Sequence, residues 1–517
     1  MRRNLVAIVT GIVFVFFLWW KLNLGVTRYF DADEFAYLHW AHNVFAGKLP
    51  YRDFLLYVPP GFLYLLAPLF GLFSGTAVLI AGRVLAWMIF VGICIALGMI
   101  LVELRGARGP GGVRLHFAKA TWGNGENLWL LLLPGLILSF LPMPADKFLE
   151  IRPDNLAILL AILGMVIQIK ALGQPKENQP RSNRGQGLAL KLWGWAGVLY
   201  GVSLLVLPKT LPQIAFAATI AFFAKGRWRF FSGLMTPLVL FGLWAVTSGY
   251  FPVVWYSLTK LPFEVNRIAH VFPMQPDLFF YPNATYYGQA GWSMGLLVNH
   301  GIWLFGLMVG VVRLMTPWLG QKKRELLVAG SMMAYVVTFM YGYPLRHAQY
   351  LIPIAVFVAF YAADGVALVV DRVPKVPTSL TVLTNTAVTL SICGVVWFLV
   401  TIFLSVNRPK VAWTNSEDLA TLKRVRATIP SDAYVFDLTG ATIFYRDPYY
   451  VSAVPYGQWE QYLSQQLPSL SEALEQTDTR YVYQGKLERV KTLTFKDQSY
   501  ITSHFTPAPG FGTMLLK

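Results

Sequence analysis

The stretch FDADEFAYLHWAHNVFAGKLPYRDF, residues 30–54, sets Asp31, Asp33, Glu34 and Asp53 among aromatic side chains. It follows almost directly on Leu5–Trp20, a wholly apolar run. Carboxylates beside a membrane are costly and are retained there for a task. An ionised carboxylate at a lipid-facing cleft can serve as a general base, taking the proton of a hydroxyl within hydrogen-bond reach. Asp33 and Glu34 suit that work if they open a helix, whose dipole keeps a carboxylate ionised. The plainer role is also open: Asp31 and Asp33 cap the helix and Glu34 is solvated.

A second cluster is DKFLEIRPDN, residues 146–155. Pro153 fits a helix start and puts Asp154 in the first turn, with Arg152 and Lys147 beside it. Asp154 either stabilises that helix end or, with its charged neighbours at a membrane-depth cleft, marks a ligand path. A third set comprises cations isolated at span ends: Lys209 in LVLPKTLP, and Arg346 with His347 in YGYPLRHAQYLIP. Singly they can snorkel to head groups. Around one cleft they would form a phosphate clamp, Arg gripping bidentately and Lys acting as a point charge. Acids plus cations suggest a substrate with a phosphate leaving group and a hydroxyl to be deprotonated. If the cleft faces outward, where no nucleotide-activated donor is at hand, the activated donor must be carried by lipid.

The elements that must position these residues follow from composition. The chain has 517 residues, 56% hydrophobic and 13% charged, with a mean hydropathy of +0.50. That composition is expected of a mainly α, polytopic membrane protein. The net charge of +17 does not point to nucleic acid, because the Lys and Arg residues sit in short clusters between apolar runs, as in cytoplasmic loops facing anionic lipid. Cys94 and Cys393 both lie within apolar runs and suggest neither a disulfide framework nor a metal site. The N-terminal Met-Arg-Arg and its apolar run lack a small-residue cleavage site and are expected to form an uncleaved first span.

Eleven spans are expected, near 4–24, 79–103, 127–142, 154–172, 189–207, 211–224, 230–251, 294–314, 326–343, 348–370 and 380–406. With the N-terminus inside, the clusters at Arg2/Arg3, Arg105–Lys119, Lys176–Arg184, Lys225–Arg229, Lys322–Arg324 and Arg372/Lys375 all become cytoplasmic. The apolar stretch 59–75 is too short between its breakers to span and is expected to be interfacial or re-entrant. Residues 25–78 are then one large external loop. Its helix starts at Asp31 or Asp33, stops at Gly47, and would lie flat in the interface on Phe35, Leu38, Ala41 and Phe45. Residues 407–517 are more polar. SEDLATLKRVRATIP reads as a helix, and DAYVFDL, TRYVYQG and GTMLLK read as strands. These form a small external α/β domain behind a transmembrane unit of residues 1–406. GARGPGG, 106–112, lacks the lysine of a phosphate-binding loop. His39 and His42, three apart, suit an interfacial polar face better than a metal. Asn283-Ala-Thr is a formal glycosylation sequon.

The first loop resembles that of the C-type, multispanning glycosyltransferases, in particular the bacterial dolichyl-phosphate-mannose-protein mannosyltransferase-like group, whose relatives include protein O-mannosyltransferases and the aminoarabinose transferase of lipid A. The resemblance rests on Asp33, Glu34, Tyr37, Gly47, Pro50, Tyr51, Pro59, Pro60 and Gly75, on Asp154, on Lys209, and on Arg346, Tyr350 and Pro353. It covers residues 1 to about 406. It implies an inverting transfer of a hexosyl or pentosyl group from a polyprenyl-phosphate donor to a lipid, glycan or protein hydroxyl. The reaction would take place on the external (periplasmic) face of a plasma or inner membrane. Carried onto this chain, it makes Asp33 the general base, Glu34 the residue that orients it or the acceptor, and Asp154 a support for the acceptor or the developing oxocarbenium charge. Lys209, Arg152 and Arg346 would neutralise the departing phosphate. Asp31, Tyr37, His347 and Tyr350 complete the expected substrate-binding set. Asp31 departs from the pattern and leaves two candidate bases. Val58 stands before the Pro-Pro pair where the family has a charge. No cofactor is required by the sequence. Some relatives bind a divalent ion near the first loop, and no clear ligand set for one is visible here. Two other classes compete. A transporter or flippase of lipid-linked sugars would show internal repeats and polar groups at mid-bilayer. A polysaccharide polymerase or ligase would lack the acidic pair behind the first span.

Overall fold

A backbone in hydrocarbon must satisfy its polar groups within one segment, so each long apolar run here is a helix. The computed structural model describes residues 2–106, 128–141, 146–173, 183–268, 294–315, 322–342, 348–372, 381–451, 464, 467–485, 493–508 and 511–517. Arg346, His347 and Asn283 lie outside the described residues, as does the Gly-rich linker after Gly106.

Helix α1 (Arg2–Thr27) leads into the first loop, which holds α2 (Ala32–Phe45), α3 (Gly61–Leu66) and α4 (Leu69–Leu72). There follow α5 (Ala77–Gly106), α6 (Leu128–Phe140), α7 (Pro153–Leu172), α8 (Asn183–Val206), α9 (Leu211–Phe222) and α10 (Arg227–Thr247). Next come α11 (Phe251–Trp255), α12 (Leu261–Ile268), α13 (Met294–Met315), α14 (Lys322–Val337), α15 (Ile352–Arg372) and α16 (Thr381–Asn407). Among the described residues, 9 helices are long and apolar enough to cross a membrane, and the chain is an integral, multi-pass membrane protein. The other two expected spans are the shorter helices α6, of 13 residues, and α9, of 12. The apolar stretch 59–75 breaks between α3 and α4, pieces of 6 and 4 residues, too short to cross.

The bundle packs around α15, whose residues Ile352–Ala363 are all buried, in one apolar cluster with residues of α5, α6, α7 and α14. Helix α8 lies against both α7 and α10. Small residues allow this approach: a Cβ on Gly197 would stand 2.1 Å from the Phe230 carbonyl oxygen, and one on Gly233 would stand 2.2 Å from that of Gly194.

Helix α5 sets the scale across the bundle. Arg83 sits near its start and Arg105 in its last turn, about 33 Å apart at a rise of about 1.5 Å per residue. That is close to the thickness of a hydrocarbon core. At the Arg105 end, Asp364 accepts from Arg105 at 3.2 Å and from Arg313 at 2.8 Å, and Arg324 stands 3.7 Å from Glu103. The Arg83 end carries the first loop.

The tail adds α17 (Ser416–Thr428), β1 (Val435–Asp437), α18 (Leu470–Gln476), β2 (Tyr481–Tyr483), α19 (Phe495–His504), β3 (Thr506–Ala508) and β4 (Phe511–Leu516). The sheet order is β1-β2-β4-β3. Strands β1 and β2 are parallel, with Val435 opposite Tyr481, and β4 runs antiparallel to both β2 and β3. The three strands expected from sequence are present. The edge strand β3 is an addition; it contains Pro507, which only an edge tolerates. The tail is seated on the first loop. Leu55 N–H donates to the Tyr450 carbonyl at 2.9 Å, the Tyr450 hydroxyl donates to the Tyr51 carbonyl at 2.8 Å, and Phe30 N–H donates to Asp418 at 2.9 Å.

This seating corrects the expectation of an interfacial helix. Helix α2 buries Glu34, Phe35, Ala36, Tyr37, Leu38, His39, Trp40, Ala41 and Asn43, residues on every side of it. Tail residues Ile443 and Ala441 share its apolar cluster. Its polar face meets protein instead of head groups, and Glu34 is not solvated but fully buried.

The buried Glu34 is met by Arg83 of α5, whose Nε and Nη2 donate to its two carboxylate oxygens. Arg83 also donates to the carbonyls of Gly25 at 2.6 Å and Tyr29 at 2.9 Å. Ile151 N–H donates to Glu34 Oε1 at 2.8 Å. One ion pair thus joins α1, α2, α5 and the segment before α7. Breaking a buried pair from one side leaves an uncompensated charge and costs about 3–5 kcal/mol. Arg83→Met is therefore expected to lower the thermal midpoint of the detergent-purified protein steeply, and Glu34→Leu with Arg83→Met to recover part of the loss. Gly197→Val, which meets backbone, is expected to destabilise by about 3 kcal/mol, whereas Gly242→Ala, in open space on α10, should be neutral or stabilising in the same assay.

Candidate functional site

The site begins with the start of α2. Asp31 is the N-cap: its Oδ1 accepts Asp33 N–H at 3.0 Å, and Glu34 Oε2 accepts Asp31 N–H at 2.8 Å. This reciprocal capping turns Glu34 inward to Arg83 and Asp33 outward. At the far end Gly47, at φ +84°, takes the left-handed conformation that stops the helix.

The bond from Ile151 to Glu34 fixes the next residue, Arg152. Its Nη1 stands 2.9 Å from Asp33 Oδ2, and its Nε stands 3.5 Å from Asp154 Oδ2. Asp154, in the first turn of α7, accepts from Lys209 Nζ at 2.8 Å. Lys209 in turn lies over the Tyr350 ring, 4.2 Å from its centroid. The order is acid, base, acid, base, aromatic, drawn from four separate segments. The middle is closed and the ends are open: the side chains of Arg152 and Asp154 are 3% and 4% exposed, those of Asp33 and Lys209 25% and 21%. Burial opposes the charge on Arg152, but Asp33, Asp154 and Glu150 outweigh it and hold the guanidinium protonated well above its ordinary range. Tyr37 lies beneath the row. Burial first, then Asp33 and Asp154, push its hydroxyl far above the usual tyrosine range, so it is a neutral hydrogen-bonding group there.

A second layer of charge supports the row. Glu150 meets Lys147 at 2.7 Å and both Arg28 and Arg152 at 3.4 Å. Lys147 reaches Asp31 at 3.8 Å. Asp146 is bonded to Lys21 at 2.9 Å and to Lys410. Despite burial, Lys21, Lys410 and Arg28 hold the Asp146 carboxyl well below the usual range.

Of the residues singled out from sequence, the structure brings together Asp31, Asp33, Glu34, Tyr37, Arg152, Asp154, Lys209 and Tyr350. Asp53 is apart, paired with Arg52 at 2.6 Å. His39 and His42 are not a metal pair: His39 is bonded to the tail, and His42 packs between the rings of Phe70 and Phe444. Sequence reasoning missed Arg83, Lys21, Arg28, Glu150, Asp146 and Lys410. Arg83 had a signal, as a lone arginine inside an apolar span. Lys410 had none. Among the described residues no group of three or more His, Cys, Asp or Glu side chains is gathered to hold a metal.

The row can do two things chemically. An open carboxylate can take a proton, and an open ammonium backed by a guanidinium can stabilise negative charge as it develops.

No protein-family model matches the sequence, and no curated protein matches it. Solved structures do match. Two crystal structures of the Archaeoglobus fulgidus oligosaccharyltransferase, one tethered with an acceptor peptide containing the NVT sequon and one in complex with Zn and sulfate, each give a TM-score of 0.50 at 11% identity. They align with 98% and 96% of this chain and with 74% and 71% of their own. ArnT from Cupriavidus metallidurans, bound to undecaprenyl phosphate, aligns with 85% of this chain and 84% of its own, at 12% identity and a TM-score of 0.48. At such identities the oligosaccharyltransferase likeness is one of fold: the chain shares the fold of that enzyme over nearly its whole length.

Proposed function

We propose that this protein transfers a sugar from a polyprenyl-phosphate donor to an acceptor hydroxyl on the outer face of the membrane, with inversion at the anomeric carbon. The observation that carries the proposal is the row Asp33–Arg152–Asp154–Lys209, open at a carboxylate and at an ammonium and closed between. Inverting transfer needs a base on the acceptor side and positive charge on the leaving-group side, and the row supplies both.

Asp33 takes the proton from the acceptor hydroxyl as its oxygen bonds to the anomeric carbon. The bond from that carbon to the phosphate oxygen breaks, and its electron pair leaves on the phosphate. Lys209 and Arg152 meet that charge, and Asp154 holds both cations in place. Tyr350 shields one side of Lys209. Glu34 is a positioning residue, since Arg83 occupies both its oxygens. Arg346 and His347 are proposed to add to the phosphate clamp. Asp31, the alternative base, is engaged as the helix cap, which favours Asp33.

The outward orientation is supported by charge. Arg105, Lys225, Arg227, Arg229, Lys322, Lys323 and Arg324 belong to the end of the bundle opposite Arg83, and such clusters lie on the cytoplasmic side. One oligosaccharyltransferase structure holds Zn with sulfate. Here Asp33 and Asp154 are each taken by Arg or Lys, and the set does not fit a metal as arranged.

The test is transfer from a panel of radiolabelled polyprenyl-phosphate sugars by the purified protein, with identification of the labelled product. Asp33→Asn is expected to lose about 10²-fold or more in rate while still binding donor. Lys209→Met should weaken polyprenyl-phosphate binding as well as turnover. Full transfer by folded Asp33→Asn protein would sink the assignment. Movement of intact donor across vesicle membranes with no labelled product would favour a flippase.

A further inference from the structure

Helix α2 offers Asp33 to the site at one end and is gripped by the tail two turns on. The grip is a buried charged pair. His39 Nε2 stands 2.6 Å from Asp447 Oδ1, and Nδ1 stands 3.1 Å from the Ile443 carbonyl oxygen. Both neighbours are acceptors, whereas a neutral imidazole carries only one N–H. Serving both requires the imidazolium, opposite an ionised Asp447. The second carboxylate oxygen accepts from Asn43 Nδ2 at 2.8 Å, so Asp447 holds α2 at two residues one turn apart. His39, Asn43 and the Asp447 side chain are buried.

We propose that His39 and Asp447 are positioning residues for the transfer reaction: their buried ion pair lets the tail segment 443–447 fix the seat of α2, and through it the placement of Asp33. This rests on the transferase reading for its effect on turnover, but the clamp is a claim about the fold itself.

The surrounding charges make the clamp sensitive to pH on the alkaline side. Burial works against a charged His39, yet Asp447, with help from Asp437 and the Ile443 carbonyl, outweighs it and raises the imidazole above its ordinary value. Its contribution is therefore complete below about pH 6.5, the ordinary value, and is lost as pH climbs through the raised one. Asp447 is shifted the other way: burial opposes its charge, but His39, Lys48 and Asn43 lower it, so it stays ionised throughout that range. His42, one turn along, is pushed down to about 4 by burial, with the charges of His39 and Lys48 adding, and is neutral while His39 is charged. Deprotonating His39 thus leaves the Asp447 carboxylate buried without its counter-ion.

The experiment follows hydrogen exchange of peptides spanning 32–45 and 435–451 across pH 6–10, corrected for intrinsic rate, beside turnover of the whole protein. The wild type is expected to show a step of about tenfold or more in α2 exchange as pH rises. His39→Gln should abolish the step. Asp447→Asn should raise exchange at every pH and lower kcat about tenfold with donor KM little changed, and Asp447→Glu should restore part of both. Unchanged α2 exchange in Asp447→Asn, or a step that persists in His39→Gln, would overturn the clamp. Loosened α2 with undiminished kcat would overturn its link to turnover. No transfer by the wild type, with the exchange step intact, would refute the transferase reading and leave the clamp standing.

Discussion

Glu34 and Arg83 pair where water does not reach, and most of that end of the molecule is arranged around that fact. A carboxylate and a guanidinium taken out of water each lose several kcal/mol of solvation. Their fit must be close and their remaining groups satisfied. Here Glu34 accepts also from Asp31 and Ile151, and Arg83 also donates to Gly25 and Tyr29. Meeting these demands brings the end of α1, the start of α2, the start of α5 and the approach to α7 to one place. The row Asp33–Arg152–Asp154–Lys209 then follows from chain geometry. Asp33 is the residue before Glu34 and Arg152 the residue after Ile151, so the structural pair sets the distance between the proposed base and its cation.

The membrane supplies the second constraint. Helices that cross it fix which charges share an end, and α5 alone separates Arg83 from Arg105 by about the thickness of the hydrocarbon. The Asp364 cluster gathers at one end and the Asp33–Lys209 row at the other. Between them the described bundle is held by apolar contact and close helix crossings such as Gly197 on Phe230. The Arg83 end can therefore hold a dense set of charges without compromising the span. Neutralisation within that set is local: each acid has a named cation, and only the two ends of the row face outward.

How much of this was legible beforehand depended on sequence distance. Helix α2, with Asp31 at its head and Gly47 at its stop, was readable because capping residues lie within a few positions of what they cap. The strands at 435–437, 481–483 and 511–516 were readable from β-branched and aromatic runs. Asp154 behind Pro153 was found by helix-start chemistry. What α2 packs against was not readable, because Asp447 lies 408 residues from His39, and no local pattern carries that contact. The helix was consequently expected to lie on lipid. Lys410, 264 residues from Asp146, was hidden for the same reason. Arg83 was visible as a charge in an apolar run, but its partner could be any acid at the same depth.

The central claim is that Asp33, Arg152, Asp154 and Lys209 form one outward hollow that receives a lipid-borne phosphate. The most direct measurement is an experimental structure of this protein with a polyprenyl phosphate bound. The account predicts the phosphate against Lys209, with Arg152 behind it, its chain leading into the bilayer, and the Asp33 carboxylate facing the space beside it. A phosphate held at the Arg105–Arg313 end, or a map separating Asp33 from Lys209 by the width of the bundle, would contradict it.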